Sequence, residues 1–404
     1  MLIKLAWKNI WRNKVRSGVI LSAIAIGLFA GTYLAAFMEG WIIGTVKESI
    51  DTDIACIQIH SPKFLANYDV REYLQGFPDV AEMPDETTIS GRIVLAGMLQ
   101  SANNALGITA KGVIPEQEKT VSAVWKTIPD SMGVYLPDDI KMPIVISKKT
   151  AGKLKVHLKS KIVFTFQNAN EEMQSVAFRV CGIYKTSNSM FDENAVFVKY
   201  DDIFPLTALP ENAIHEVAVN FPDLKTCDWV YPKIKAALPG LEVLSWKEIN
   251  PTLSLSLGAT EFFGAIIIGI FLLALSFGIV NTMLMAILER TKELGMLKAI
   301  GMSKNKIFRM IMFETVFLTF LGSVAGIILA TIVLTPSLKT GIDLTFMMGD
   351  TFEDYGFSAI VYPVINLKMF VEIAVLVIFA GILSAIYPAR RALKINTIEA
   401  IKTE

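Results

Sequence analysis

The sequence predicts an integral membrane α-helical protein: four transmembrane helices, with a large mixed α/β extracytoplasmic domain inserted between helices 1 and 2. Three observations predict it. Of the 404 residues 53% are hydrophobic and the mean hydropathy is +0.48, greasier than soluble enzymes of that length. Four runs, at about residues 17–43, 262–287, 311–334 and 369–387, reach the roughly 20 apolar residues a helix needs to cross a bilayer. Finally, Lys and Arg, which mark the cytoplasmic face, gather at three places: Lys4, Lys8, Arg12, Lys14 and Arg16 before the first run, Arg290, Lys292, Lys298, Lys304, Lys306 and Arg309 between the second and third, and Arg390, Arg391 and Lys394 after the fourth. The connection between the third and fourth runs sets Asp343, Asp350, Glu353 and Asp354 against Lys339, so it belongs outside.

Taken in order, residues 1–16 form a cytoplasmic basic segment and 17–45 the first span. Residues 46–260 form the extracytoplasmic domain and 261–288 the second span. Residues 289–308 form a cytoplasmic helix and loop, 309–335 the third span, 336–366 an extracytoplasmic loop, 367–387 the fourth span and 388–404 a cytoplasmic tail. The first run is longer than a signal-peptide core and no convincing small-residue cleavage site follows it, so an uncleaved anchor is expected. The opening residues "LIKLAWKNIWRNKVRS" place Leu5, Ile10 and Trp11 among basic positions and Trp7, which suits either a helix in the inner interface or a simple extension of the first span. Inside the outer domain, "SKIVFTFQNA", "QSVAFRVCGIYKT" and "NAVFVKY" have the alternation of half-buried strands, and "DWVYPKIKAALPG" is helical up to Pro239 and Gly240.

Catalytic and cofactor chemistry finds little support. Gly107 and Gly112 have the separation of a phosphate loop, but Val113 stands where Lys is required. His60, His157 and His215 lack metal-ligand spacing, and no serine sits in a nucleophile elbow. Acidic and basic residues are equal at 38 each, so overall charge argues against a nucleic-acid partner. Cys56, Cys181 and Cys227 are far apart and odd in number, and buried free thiols are expected rather than a disulfide framework. Within the spans the polar suspects are Asn281, Glu314 and Glu372, for which hydrogen bonding between helices or snorkelling is the expected role. Gly27, Gly31 and Ala35, like Gly322 and Gly326, recur every four residues. They are expected to be faces for close helix packing, within one chain or between chains.

Residues 289–308, "ERTKELGMLKAIGMSKNKIF", stand apart. On a helix Leu294, Leu297 and Ile300 make a narrow apolar stripe, while Glu289 can meet Lys292 and Arg290 can meet Glu293. Gly295 and Gly301 each disfavour a helix by about 1 kcal/mol, so close approach of another surface or a helix end at Gly301 is expected. The pattern suits a cytoplasmic docking helix, and also a solvated turn.

"NTMLMAILERTKELGMLKAIGMSKNKIFRMIMFETVFLTFLGSVAGIILA", with "YPARRALKINTIEAI" near the end, resembles the C-terminal region of FtsX/MacB-type ABC transporter permeases. "LAWKNIWRNKVRS", "IQIHSPKFL" and "VFTFQNANEEMQSVAFRVCGIYKT" are most similar to the LolC/LolE-like lipoprotein-release branch. The resemblance implies a non-catalytic subunit of the cytoplasmic (inner) membrane, with both termini cytoplasmic. It would bind no cofactor itself, ATP and Mg being held by a separate ABC ATPase dimer. It implies a second permease chain, identical or homologous, contact with membrane lipids, and a lipoprotein as cargo. In this picture the polar contacts to the ATPase come from Glu289, Arg290, Lys292 and Glu293. Leu294, Leu297 and Ile300, with Gly295 and Gly301, form the apolar seat, and Tyr387, Pro388, Arg390 and Arg391 stand beside the same ATPase. MacB-like efflux and FtsX-like control of a cell-wall hydrolase are the alternative implications.

Overall fold

The computed structural model describes residues 2–78, 84–186, 188–348 and 360–394. Asp350, Glu353, Asp354 and the last ten residues of the tail lie outside the described residues. The principal helices are α1 (Leu2–Arg12), α2 (Lys14–Ser49), α3 (Leu224–Ala237), α4 (Pro251–Glu289), α5 (Thr291–Ala299), α6 (Lys304–Thr340) and α7 (Leu367–Leu393). Four of these stretches are long and apolar enough to cross a membrane: Ser17–Ile54, Pro251–Glu289, Lys304–Thr340 and Leu367–Leu393. The chain divides into two units, residues 1–42, 258–342 and 361–404 in the first, and 43–257 with 343–360 in the second.

The first unit is a helical bundle. Its core draws Ile24 and Leu28 from α2, Ile279 and Met283 from α4, Met310 and Leu318 from α6, and Ile373 and Val377 from α7. Small residues let these helices close up. A Cβ at Gly322 would meet Ile24 Cγ2 at 2.7 Å, and one at Gly326 would meet Ala25 O at 2.8 Å. Gly27 faces Leu275 at 3.1 Å and Gly31 faces Ile373 at 4.0 Å, while Ala35 packs on the same core. Both stripes are therefore occupied by helices of the same chain. Gly381, whose Cβ would collide with Thr319, performs the same role and is not part of either repeat. The chain breaks at Asn13, so α1 is a separate helix rather than an extension of the span. It buries Ala6, Asn9 and Ile10, and Trp7 meets Phe317 edge-on at 5.4 Å.

The second unit is built on a nine-stranded sheet. Its strands are β1 (Ile57–His60), β2 (Thr88–Gln100), β3 (Ala105–Val113), β4 (Pro143–Ser147), β5 (Lys161–Gln167), β6 (Met173–Tyr184), β7 (Ala195–Lys199), β8 (Glu216–Asn220) and β9 (Glu242–Ser245). They run in the order β9-β1-β8-β2-β3-β7-β4-β6-β5, and β5 pairs back onto the far end of β2, Gly97 opposite Phe166. Strands β2, β3, β7, β4, β6 and β5 thus close into a ring. Its interior holds Leu95, Leu99, Phe164, Phe166, Phe178 and Val180. The expected strands at 161–167, 173–184 and 195–199 are all present, and helix α3 runs to Ala237 with Pro232 inside it. Helix α4 starts at Pro251, ahead of the expected boundary at 261.

One expectation is overturned. Cys56 and Cys227 are joined in a disulfide across 171 residues, and only Cys181 is a free thiol. Folding sets Cys227, in the first turn of α3, against the residue that precedes β1. That proximity comes from packing and not from spacing, so the odd count misled. Burial pushes the Cys181 thiol up to about 11, so it is inert in its core.

Candidate coupling site

Helix α5 sits between the two apolar helices α4 and α6, and its ends have local causes. Arg290 leaves helical geometry at its start, with φ −104° and ψ 16°. Gly301 takes φ +96° at its end, where its N–H donates to Lys298 O at 3.1 Å and Met302 N–H donates to Leu297 O at 3.0 Å. A left-handed glycine closing the last turn is the expected C-terminal device, and the predicted helix end at Gly301 is found there.

The apolar stripe does not face outward as one surface. Leu294 is buried in the bundle core, Leu297 packs half-buried against it, and Gly295 is buried on the same side. Leu294 and Gly295, with Leu297 in part, seat α5 on its own chain. Ile300 alone of that set is open, at 80% exposure, and it is joined by Met296 at 55%. Glu289 and Lys292 are exposed too. Lys292, Met296 and Ile300 follow at i, i+4 and i+8, so the outward stripe is basic at one end and apolar at the other.

The polar residues divide likewise. Arg290 turns inward, its side chain 16% exposed, and donates from Nη1 to Glu314 at 3.1 Å and from Nε to Glu293 at 3.1 Å. Glu314, 5% exposed at the inner part of α6, is thereby the buried acid of an ion pair. Arg290 is thus a structural clamp rather than a ready contact for a partner. Glu293 also pairs with Arg12 of α1. The hydrogen bond from Arg12, with Arg290 beside it, holds the Glu293 carboxyl below its usual range. Lys298 Nζ donates to Leu393 O at 3.1 Å, tying α5 to the end of α7 where carbonyls lack helical partners. Sequence reasoning missed Met296, Lys298 and the role of Arg12. Arg12 lies 281 residues from Glu293, and no local pattern links them.

On α7, Pro388 and Ala389 are buried, while Tyr387, Arg390 and Arg391 are exposed. Arg390 and Arg391 occupy the last turn, where cations suit the helix dipole. Glu372 makes a loose contact to Lys368 at 3.9 Å, and Asn281 is exposed. No group of three or more His, Cys, Asp or Glu able to hold a metal occurs among the described residues.

Comparison with known proteins follows this geometry. Residues 265–397 match the model described as FtsX-like permease C-terminal. An uncharacterized ABC transporter permease of Methanocaldococcus jannaschii is 29% identical over 233 residues, covering 56% of this chain and 55% of the relative. The macrolide export ATP-binding/permease protein MacB of Bdellovibrio bacteriovorus is 30% identical over 156 residues, covering 38% of this chain and 20% of the relative. The chain therefore spans about half or less of the length of these relatives. The periplasmic region of MacB from Actinobacillus actinomycetemcomitans matches 52% of this chain and 98% of its own length at 9% identity and a TM-score of 0.33, too loose to bear on the fold. The matched stretch contains most of α4, all of α5 and α6, and α7, and over residues 265–397 the chain is similar to the C-terminal region of FtsX-like permeases.

Proposed function

We propose that this protein is the permease subunit of an ABC transporter and couples ATP hydrolysis on a separate ATPase to work outside the membrane. The observation that carries the reading is α5: a short helix between two apolar ones, clamped by Arg290 and Leu294, with Lys292, Met296 and Ile300 presented outward. Such a surface offers an ATPase a small apolar contact framed by charge, and the exposed Arg390 and Arg391 supply further basic character beside the exposed Tyr387. ATP and Mg reside on the ATPase. Two ATPase subunits close on ATP, so two permease chains are required, identical or homologous. Helices α2 and α4 each run unbroken from one unit's residues into the other's and are the candidate relays. The basic segments put both termini in the cytoplasm, and the Cys56–Cys227 bond suits an oxidising outer compartment for the second unit.

For the cargo, release of lipoproteins from the cytoplasmic membrane is the first reading, carried by the LolC/LolE-like stretches. The export names of relatives such as MacB favour a second, efflux of small molecules from the outer side. Affinity purification of the chain in mild detergent, with mass spectrometry of its companions, tests both. A phosphate-loop ATPase is expected with the native chain and lost with Ile300→Asp. Acylated lipoproteins alongside it support release, and an outer-membrane channel supports efflux. An ATPase retained by Ile300→Asp and by Met296→Asp would remove the coupling assignment.

A further inference from the structure

Helix α1 presents three faces. One is taken: Ala6, Asn9 and Ile10 are buried, Leu2 and Leu5 pack on the bundle core, and Asn9 Nδ2 lies 3.9 Å from Met310 Sγ on α6. The Ser17 hydroxyl donates to Ile10 O at 2.6 Å and ties the end of α1 to the start of α2. The second face is apolar and open. Ile3, Trp7 and Trp11 follow at i, i+4 and i+8 and are 54%, 41% and 50% exposed, the two indoles meeting edge to face at 5.9 Å. The third face lies one residue further round and is basic: Lys4, Lys8 and Arg12, all exposed.

Little within the chain accounts for the two open faces. Residues 1–38 contain no Asp or Glu, and neither Lys4 nor Lys8 forms an ion pair with another described residue. Like charges at i, i+4 disfavour a helix, and indoles left in water forgo the gain of apolar burial. Both costs fall at the boundary of a bilayer with anionic headgroups, where indoles sit at headgroup level and each Lys or Arg gains from the negative surface. The two stripes adjoin, so one lipid can span them, its acyl chain on Ile3, Trp7 and Trp11 and its phosphate on Lys4 and Lys8. Arg12 is shared. It ends the basic stripe and also pairs with Glu293 on α5, while its side chain stays 58% exposed.

We propose that α1 is a docking surface for an anionic phospholipid, whose headgroup phosphate is held by Lys4 and Lys8 and competes with Glu293 for Arg12. An anionic headgroup neutralises the stripe, whereas a zwitterionic one brings a cation of its own. When the phosphate draws Arg12 away, Arg290 still holds Glu293 and Glu314, so α5 loosens from α1 and keeps its clamp to α6. Lipid charge thereby adjusts how firmly α1 holds α5. That regulatory consequence rests on the coupling reading, but lipid binding does not, and the test reads binding without an ATPase.

The experiment is photocrosslinking of the full chain in phosphatidylcholine nanodiscs, doped with a diazirine-acyl phosphatidylglycerol or its phosphatidylcholine counterpart at equal mole fraction. Adducts are mapped by mass spectrometry. Those on residues 3–11 are expected to favour phosphatidylglycerol by about tenfold, since each basic residue near an anionic surface is worth about fivefold. Lys4→Gln with Lys8→Gln should bring the two yields close to parity. Lys304→Gln with Lys306→Gln, an exposed basic pair at the start of α6, should leave the preference intact, which separates α1 from general positive charge. Glu293→Gln frees Arg12 and should raise the phosphatidylglycerol yield by about twofold or more. Adducts absent from residues 3–11, equal yields for the two lipids, or a preference that survives loss of Lys4 and Lys8 would overturn the proposal. A yield indifferent to Glu293→Gln would overturn the competition for Arg12.

Discussion

Leu294 and Met296 stand two positions apart on α5 and point to different fates. Leu294 is 6% exposed within the bundle core, and Met296 is 55% exposed. An aspartate at Leu294 puts an unpaired charge among apolar side chains and should destabilise the bundle by about 3 kcal/mol or more. An aspartate at Met296 meets water and should leave the thermal midpoint within about a degree or two, since exposed substitutions fall within about 0.5 kcal/mol. Capture of the ATPase should fail in both, but for different reasons, and a melting curve beside each pull-down separates them. Asp192 makes a second case. It is buried, accepts from Thr186 N–H and Oγ–H, and burial raises its carboxyl to about 6. The folded state therefore holds this proton more tightly than the unfolded chain does. Stability is favoured at low pH and declines as pH rises from about 4 to about 6. Asp192→Asn keeps an acceptor for Thr186 and removes the ionisation. Its stability relative to the native chain should rise over that window, to about 1–3 kcal/mol in its favour at pH 7.5, and be near parity at pH 4. Denaturant curves at the two pH values check it, and a difference that does not change with pH would contradict the account.

Helices and strands differ in how plainly they are written. A span is a run of about 20 apolar residues, a local property, so all four were legible, as were the strands at 161–167, 173–184 and 195–199. The turn at Gly301 was legible too, because a glycine after an amphipathic run has a specific backbone use. What periodicity cannot say is which surface a face will meet. The stripe of Leu294 and Leu297 was visible, but that it turns to its own bundle depends on α1, α6 and α7 arriving from distant sequence. The same holds for Arg12 with Glu293, for β5 closing onto β2, and for Gly381 against Thr319, where no repeat draws the eye. Helix packing supplies its own test. A Cβ at Gly322 would stand 2.7 Å from Ile24, so Gly322→Val should overpack the α2–α6 contact and cost about 1–3 kcal/mol. At Gly278 nothing lies within 4 Å, and Gly278→Val should be tolerated. Comparing the thermal midpoints of the two variants in one detergent isolates packing from any general effect of a β-branched residue.

At the level of the whole molecule, two units carry separate sets of interactions: a helical bundle with α5 clamped to it, and a closed sheet with a disulfide. The disulfide ties Cys56, just before β1, to Cys227 on α3, at a sequence separation of 171. Cross-linking so long a loop restricts the unfolded chain far more than the folded one, and natural disulfides typically contribute about 2–4 kcal/mol. The double variant Cys56→Ser, Cys227→Ser should therefore lower the stability of the second unit by that order while leaving the bundle intact. Two readouts are needed because they report on different units. Protease resistance of the sheet unit should fall in the variant, as it should for the native chain under reductant, and reductant should have no further effect on the variant. Capture of the ATPase through Met296 and Ile300 should be unchanged, since no atom of α5 or its clamp is altered. If capture falls in step with protease resistance, the units do not stand independently and coupling draws on the sheet unit. If neither changes, the bond is not holding the outer fold together, and the case for placing that unit in an oxidising compartment loses its chemical support.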